Sequence, residues 1–425
     1  MTTAQLLTDQ LTHLIGRPLP LRIKAWDGST AGPADAPTVT LRNRRALRRL
    51  LWQPGELGLA DAWISGDLDI EGDLAPALSR VRAALAGRGP VRPGLREWPA
   101  LLGTAARLGV LGPRPQPPGG RARVRGSLHS RARDRAVISH HYDLSNEFYA
   151  LLLGEAMAYS CAYWTPKSDS LQTAQEAKFD LVCRKLALNP GSRLLDIGCG
   201  WGALAVHAAR HFGARVTAVT LSQRQHAFAT AAVEAAGLTD RVEVLLCDYR
   251  EIAAGPFDAI SCIEMGEHVG DQEYPAFARR LHSLLRPEGR LLVQQMSRST
   301  VAPGGGAFIE TYIAPDMHMR PVGDTVALLE RAGLEVRNVE ALREHYARTI
   351  DAWHERLDEH RAEFTALVGE PTVRLWRLYL AGSSLAFAER RMGVDQILAV
   401  RPTTTGTSGA PATPLDWYQA QERSS

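Results

Sequence analysis

The chain has 425 residues, 45% hydrophobic and 22% charged, enough length for two or three domains with full cores and a composition that excludes general disorder, a collagen-like fibre or a polytopic membrane protein. Lys and Arg number 49 against 46 Asp and Glu, a net charge of +3, too balanced for the whole surface to act as a polyanion-binding field, so any basic patch must be local. Lysine occurs only at Lys24, Lys167, Lys178 and Lys185, and the remaining positive charge is Arg, the better fork for phosphate.

The opening residues MTTAQLLTDQLTHLIG lack the basic start and long apolar core of a secretory signal, and no later run holds about 18 uninterrupted apolar residues. Five cysteines, with no C-x-x-C pair, fit a reducing compartment. The expected location is the cytoplasm. Residues 20–75 alternate apolar and polar positions in PLRIKAW and PTVTLRN and carry a helical RALRRLLW, so residues 1–86 read as a small α+β domain. Residues 87–136 shift to Pro, Gly and Arg and read as a linker. Arg114, Arg121, Arg123, Arg125, Arg131, Arg133 and Arg135 stand there with Asp134 as the one acid between residues 114 and 135, a pattern that suits either a solvated linker or contact with phosphate groups. From Gly191 onward the short apolar segments RLLDI, ARVTAVT, RVEVLL, FDAISCI and RLLVQQM alternate with helical stretches, the pattern of a parallel sheet covered on both faces, so residues 137–425 read as an α/β domain.

RLLDI runs into Asp196-Ile197-Gly198-Cys199-Gly200-Trp201-Gly202 and then a helical ALAVHAARHF. That places a Gly-rich turn at the carboxyl end of a strand, where open α/β sheets bind ligands, with Asp196 as a carboxylate for a cationic or hydroxyl-bearing ligand. The spacing is D-x-G-x-G-x-G, and in this context the loop resembles the S-adenosylmethionine loop of class I, Rossmann-like methyltransferases. The second strand ends in Thr220-Leu221-Ser222-Gln223-Arg224-Gln225, where an acid is usual, and Asp248-Tyr249-Arg250 follows the third. Together with His140-His141-Tyr142-Asp143, Tyr159-Ser160-Cys161-Ala162-Tyr163-Trp164, Gln175-Glu176-Ala177-Lys178 and Glu267-His268-Val269-Gly270, these stretches resemble the cyclopropane-fatty-acid synthases and mycolic-acid methyltransferases.

The resemblance implies S-adenosylmethionine as methyl donor, held by Tyr159, Ser160, Asp196, Gly198, Gly200, Gly202, Thr220, Leu221, Gln225, Asp248 and Tyr249. It implies an unsaturated phospholipid acyl chain as substrate, methylated at a cis double bond in a water-poor pocket. Family members hold a bicarbonate as the base, and the matching positions are Glu267, Tyr346 and Cys161, with His140 also in a site motif. The strand expected to present the family's His carries Gln294, and the bulky residue before the Glu is Gly266. A Gln hydrogen-bonds an anion but does not titrate near neutral pH, so bicarbonate binding and ring closure both stay open. Gly266 is expected to open space beside the reacting carbons. The run from Phe308 to Pro321, with Glu310, Asp316, His318 and Arg320, resembles instead the actinobacterial methyltransferases that make the methylene precursor of tuberculostearic acid, in which a hydride shift precedes loss of a proton from the new methyl group. A separate reductase would then act, and the resemblance also allows a homodimer.

Three readings follow. The first is a lipid methyltransferase working at an anionic phospholipid surface, giving a 10-methylene acyl chain, with cyclopropane as the other product. The second is a nucleic-acid methyltransferase; no Asn/Asp-Pro-Pro-Tyr motif and no aromatics among the linker arginines support it, and no nucleic-acid partner is expected. The third is a lipid-binding protein that has lost catalysis.

Overall fold

The computed structural model describes residues 1–18, 20–85, 98–121, 126–130, 133–134, 144–298 and 305–418. The chain forms two compact units.

The first comprises residues 1–121, 306–313 and 360–385. Its sheet runs β2-β1-β3-β4, from strands β1 (Arg22–Lys24), β2 (Thr30–Ala31), β3 (Thr38–Leu41) and β4 (Leu68–Glu71), with β1 and β3 parallel and the other pairs antiparallel. This is the expected α+β character, but the unit is not continuous in sequence. The Trp63 indole donates to the Arg374 carbonyl at 2.7 Å, and the Arg374 guanidinium donates back to the Trp63 carbonyl at 2.6 Å while lying 4.2 Å from the ring centre. Asp61 receives the Tyr312 hydroxyl and Arg121, each at 2.5 Å. Pairings across about 250 to 310 residues leave no local signature in sequence, so residues 306–313 and 360–385 looked like parts of the larger domain. The stretch read as a linker also differs: Trp98–Arg107 is helical, its apolar residues outweighing the surrounding Pro and Gly.

Asp67, 1% exposed, accepts from Asn43 Nδ2, Arg45 Nε and Arg49 Nε at 2.8, 3.1 and 2.9 Å. Because Arg49 is itself buried, removing the carboxylate strands a cation.

The second unit comprises residues 122–305, 314–359 and 386–425. Its seven strands are β5 (Arg193–Ile197), β6 (Arg215–Thr220), β7 (Val242–Leu246), β8 (Phe257–Ile263), β9 (Leu285–Ser297), β10 (Glu335–Ala341) and β11 (Gly393–Val400), in the order β10-β11-β9-β8-β5-β6-β7. All pairs are parallel except those of β11, which runs against both neighbours. The α/β architecture expected for this region is present, and the five expected strands are β5 to β9. Two apolar layers cover the sheet: Leu194, Val216, Ala218 and Ala259 pack with Val182, Leu204 and Val233 on one side, and Leu195, Ile260 and Val293 with Phe277, Leu281 and Leu329 on the other. Strand order reverses between β5 and β8, which opens a crevice at their carboxyl ends. Among the described residues no helix is long and apolar enough to cross a membrane.

Asp67→Ala is expected to lower stability by about 3 kcal/mol or more through the unpaired Arg49. Urea denaturation followed by tryptophan fluorescence checks this, and an unchanged midpoint would contradict the pairing.

Candidate active site

The crevice is lined by Tyr159, Ser160, Asp196, Gly198, Gly200, Thr220, Leu221, Gln225 and Tyr249, so nine of the eleven expected cofactor residues meet there. Gly198 has φ 75°, and a Cβ on it would come within 3.0 Å of the Met265 side chain; only glycine brings the backbone this close. The Thr-Leu-Ser turn is a helix start: Ser222 Oγ accepts from the Gln225 backbone N–H at 3.3 Å and caps the helix Gln223–Ala235. Thr220 Oγ1 donates to Gln225 Oε1 at 2.9 Å, so what Gln225 offers a ligand is its Nε2 amide. Asp196 accepts from Ser261 Oγ at 2.7 Å, and burial pushes its carboxyl up to about 6 despite that bond and the nearby Lys178 charge.

Two expected residues fall outside the lining. Gly202 lets the helix Ala203–Phe212 pack closely, since a Cβ there would lie 3.0 Å from Ala229 Cβ. Asp248 grips the Arg250 guanidinium at 2.8 and 2.6 Å, leaving Cys247 and Tyr249 as the lining residues of that turn. These donors suit S-adenosylmethionine: a backbone turn for close approach, amide and hydroxyl donors, and the Asp196 carboxylate. Lys178 also lines the crevice; its ammonium donates to Ser160 Oγ at 2.8 Å, and burial pushes its pKa down to about 8.

Glu264, just beyond β8, also lines the crevice. Cys161 N–H and Gln294 Nε2 both donate to Glu264 Oε1 at 2.8 Å, and Tyr346 OH donates to Oε2 at 2.5 Å. Tyr346, Cys161 and Gln294, expected to gather around Glu267, therefore gather around Glu264, three residues earlier. Burial pushes the Glu264 carboxyl up, while the three hydrogen bonds and the Lys178 charge pull it back. Sequence reasoning missed this residue, although an acid closing an apolar parallel strand beside the topological switch point is a usable signal.

Gln294 is oriented by a chain of side chains across the sheet. Lys185 pairs with Glu340 and donates to Gln396 Oε1 at 2.8 Å, and Gln396 Nε2 donates to Gln294 Oε1 at 2.9 Å. An ammonium only donates. Each amide therefore presents its oxygen toward Lys185 and its NH2 toward Glu264.

Cys161 contributes its backbone. Its thiol is fully buried, makes contacts of 3.3 and 3.7 Å to the carbonyls of Ala162 and Leu342, and burial holds it well above the ordinary thiol range. Thr349 Oγ1 accepts from Ala162 N–H and Trp164 Nε1, both at 3.1 Å, and His345 Nδ1 accepts from Trp164 N–H at 2.9 Å. The helix Arg343–Glu359 thus fixes both Tyr346 and the strand-like segment that presents the Cys161 N–H.

Glu267 is fully buried, and neither carboxyl oxygen has a hydrogen-bond partner among the described residues. Burial, then the Glu264 charge, push it up to about 8. Its carbonyl accepts from His318 N–H at 2.7 Å. Arg320 is buried 4.1 Å from the Tyr274 ring centre, and Asp316 pairs with Arg133. The space expected beside Gly266 is filled: a Cβ there would meet Gln295 Oε1 at 2.0 Å, and that amide is held by Tyr274 OH at 2.7 Å and donates to Thr325 Oγ1 at 3.0 Å. His140, Arg123, Arg125, Arg131 and Arg135 lie outside the described residues. Arg114 donates to Gln53, and Arg121 pairs with Asp61.

A run of aromatic rings borders the site: Trp201 to Tyr149 at 4.7 Å, Tyr149 to Tyr159 at 5.9 Å, Tyr159 to Trp353 at 5.2 Å, Trp353 to Tyr346 at 6.1 Å and Tyr346 to Phe387 at 4.6 Å between ring centres. Ring faces attract cations, and ring bodies exclude water.

Because Cys161 acts through its N–H, Cys161→Ala is expected to keep turnover within about tenfold of wild type, measured in a methyl-transfer assay; complete loss would give the thiol a role. Glu267 carries a stability signature. Its carboxyl ionises near 4.5 when unfolded and near 8 when folded, so it costs stability increasingly as pH rises through that interval, by up to about 1.4 kcal/mol per pH unit. Glu267→Gln should melt above wild type at pH 8, with the gap shrinking toward pH 5; a pH-independent gap in calorimetry would contradict the burial.

The family model for mycolic acid cyclopropane synthetase matches residues 129–397. A probable fatty acid methyltransferase of Mycobacterium tuberculosis is 40% identical over 94% of this chain and 95% of its own length, and the tuberculostearic acid methyltransferase UfaA1 of the same organism is 32% identical over 93% and 90%. The solved mycolic acid cyclopropane synthase CmaA1, complexed with SAH and CTAB, superposes with a TM-score of 0.59 at 31% identity, covering 62% of this chain and 97% of that one. The sheet is that of a class I methyltransferase, and the chain belongs to the mycolic acid cyclopropane synthetase family, whose members are S-adenosylmethionine-dependent enzymes of fatty acyl lipids.

Proposed function

We propose that the protein methylates the cis double bond of an unsaturated phospholipid acyl chain of the oleoyl type and releases a 10-methylene acyl chain, the precursor of a 10-methyl branched acid. The observation that carries this reading is the crevice lined by Asp196, Gly198 and Gln225 together with Glu264, a carboxylate that accepts the Tyr346 hydroxyl. S-Adenosylmethionine, when bound, supplies an electrophilic methyl group on a sulfonium. The chain's own residues do the rest. Gly198, Thr220 and Gln225 orient the cofactor; Tyr159, Trp353 and Tyr346 keep water away from a carbon cation that water would quench; a carboxylate then accepts the proton whose loss ends the reaction.

The similarity to a tuberculostearic acid methyltransferase over most of both chains supports the methylene product. Cyclopropane is the second reading, favoured by the family's description; it needs the same cofactor and the same final deprotonation, without the hydride shift. Arg121 and Arg133, two of the linker arginines on which a nucleic-acid reading would draw, are paired with Asp61 and Asp316. The substrate is drawn from an anionic phospholipid surface, and reduction of the methylene falls to a separate reductase.

Incubation with S-adenosylmethionine and oleoyl-phospholipid vesicles, followed by mass spectrometry and proton NMR of the fatty acids, tests the proposal. Exocyclic methylene signals with a mass gain of one carbon are expected. Cyclopropane signals would replace the product assignment, and unchanged oleate would overturn the substrate.

A further inference from the structure

Among the described residues, three of the groups expected to surround a bicarbonate converge instead on a carboxylate of the protein itself. Cys161 N–H, Gln294 Nε2 and Tyr346 OH all point at the Glu264 carboxylate. A carboxylate offers about four acceptor sites; among the described residues two donors fall on Oε1 and one on Oε2, which leaves a site on Oε2. Glu264 also lines the cofactor crevice.

Backbone geometry independently marks the position. Glu264 has φ 52°, a left-handed conformation that glycine adopts freely and that costs other residues on the order of 1–3 kcal/mol when they are held there. Four constraints maintain it. Glu264 N–H donates to the Gln294 carbonyl at 2.6 Å, and three donors hold the side chain. A strained backbone at the end of a strand, with its side chain held by three donors, is the pattern of a residue kept for chemistry.

We propose that Glu264 is the built-in base of the reaction, its carboxylate standing where a bound bicarbonate would otherwise be held, so that the enzyme needs no external anion. This assignment rests on the lipid-methylation reading above. In the terminating step a C–H bond of the newly added methyl group breaks, its electron pair forms the carbon–carbon double bond and neutralises the adjacent cation, and the proton passes to Glu264 Oε2. The protonated carboxyl returns that proton to water after the product leaves. Gln294, Gln396 and Lys185 are positioning residues: the ammonium fixes the direction of both amides, and Gln294 thereby presents a donor that favours the ionised carboxylate.

Three variants and one probe test the proposal. Glu264→Gln keeps the size of the side chain and removes the base, and product formation should fall by about 10²- to 10⁴-fold while S-adenosylmethionine binding, followed by calorimetry, stays near wild type. Glu264→Gly relieves the left-handed backbone and so should fold; it empties the space between the three donors, and its lost activity should return on adding bicarbonate. Lys185→Met should lower kcat without raising the KM for S-adenosylmethionine. ¹³C-bicarbonate supplies a readout separate from turnover: by NMR line broadening it should bind Glu264→Gly and not wild type, and wild-type turnover in carbon-dioxide-free buffer should be unchanged by added bicarbonate. Bicarbonate binding to wild type, bicarbonate-dependent wild-type turnover, or full activity of Glu264→Gln would each overturn the assignment. A wild-type enzyme that methylates no lipid would instead sink the reading it rests on, and the bicarbonate-binding comparison would still decide whether Glu264 fills the anion's place.

Discussion

The site depends on a directional chain of hydrogen bonds that begins at a group able only to donate. Lys185, buried and paired with Glu340, fixes Gln396; Gln396 fixes Gln294; and Gln294 presents its NH2 to Glu264. These residues come from the helix Leu171–Lys185 and from β11, β9 and the end of β8. Reversing either amide would put two oxygens or two NH2 groups face to face in a buried setting, where an unmet polar group costs about 1–3 kcal/mol. The sheet's register, Gln396 opposite Gln294 across the antiparallel β11–β9 pair, is therefore tied to the chemistry at its end.

Two carboxyl groups of different character follow from this arrangement. Glu264 is surrounded by donors, with the Lys178 charge nearby, all of which favour its ionised form against the penalty of burial. Glu267 is the more deeply buried of the two, and burial, then the Glu264 charge, push its carboxyl up to about 8 against the backbone N–H groups of Glu267 and Met296 and the Arg320 charge. Environments that push neighbouring acids apart separate their roles. An aromatic border from Trp201 to Phe387 completes the setting by excluding water while tolerating positive charge.

Local signals carried much of this into the sequence. Asp196 and the glycines after it, the Ser222 cap and the five apolar strands are contiguous patterns, and each appears where its pattern places it. Cys161, Tyr346 and Gln294 also meet at one point. The partner they meet was illegible, because convergence on Glu264 joins segments 30 to 103 residues away from it. Gly266 misled for a similar reason: a missing side chain suggests space, but the long-range neighbour Gln295 fills it. The membership of residues 360–385 in the first unit rests on contacts such as Arg374 with Trp63, which no periodicity announces.

The central claim is that Glu264 is an ionised carboxylate held in place by oriented donors. A neutron diffraction structure of crystals grown at pH 8 tests it directly, because deuterium positions reveal both the protonation of the carboxyl and the orientation of each amide. The account predicts no deuteron on Glu264, the Gln294 ND2 group facing Glu264 Oε1 and the Tyr346 deuteron directed at Oε2. A deuteron on Glu264, or Gln294 turned with its oxygen toward it, would contradict the account.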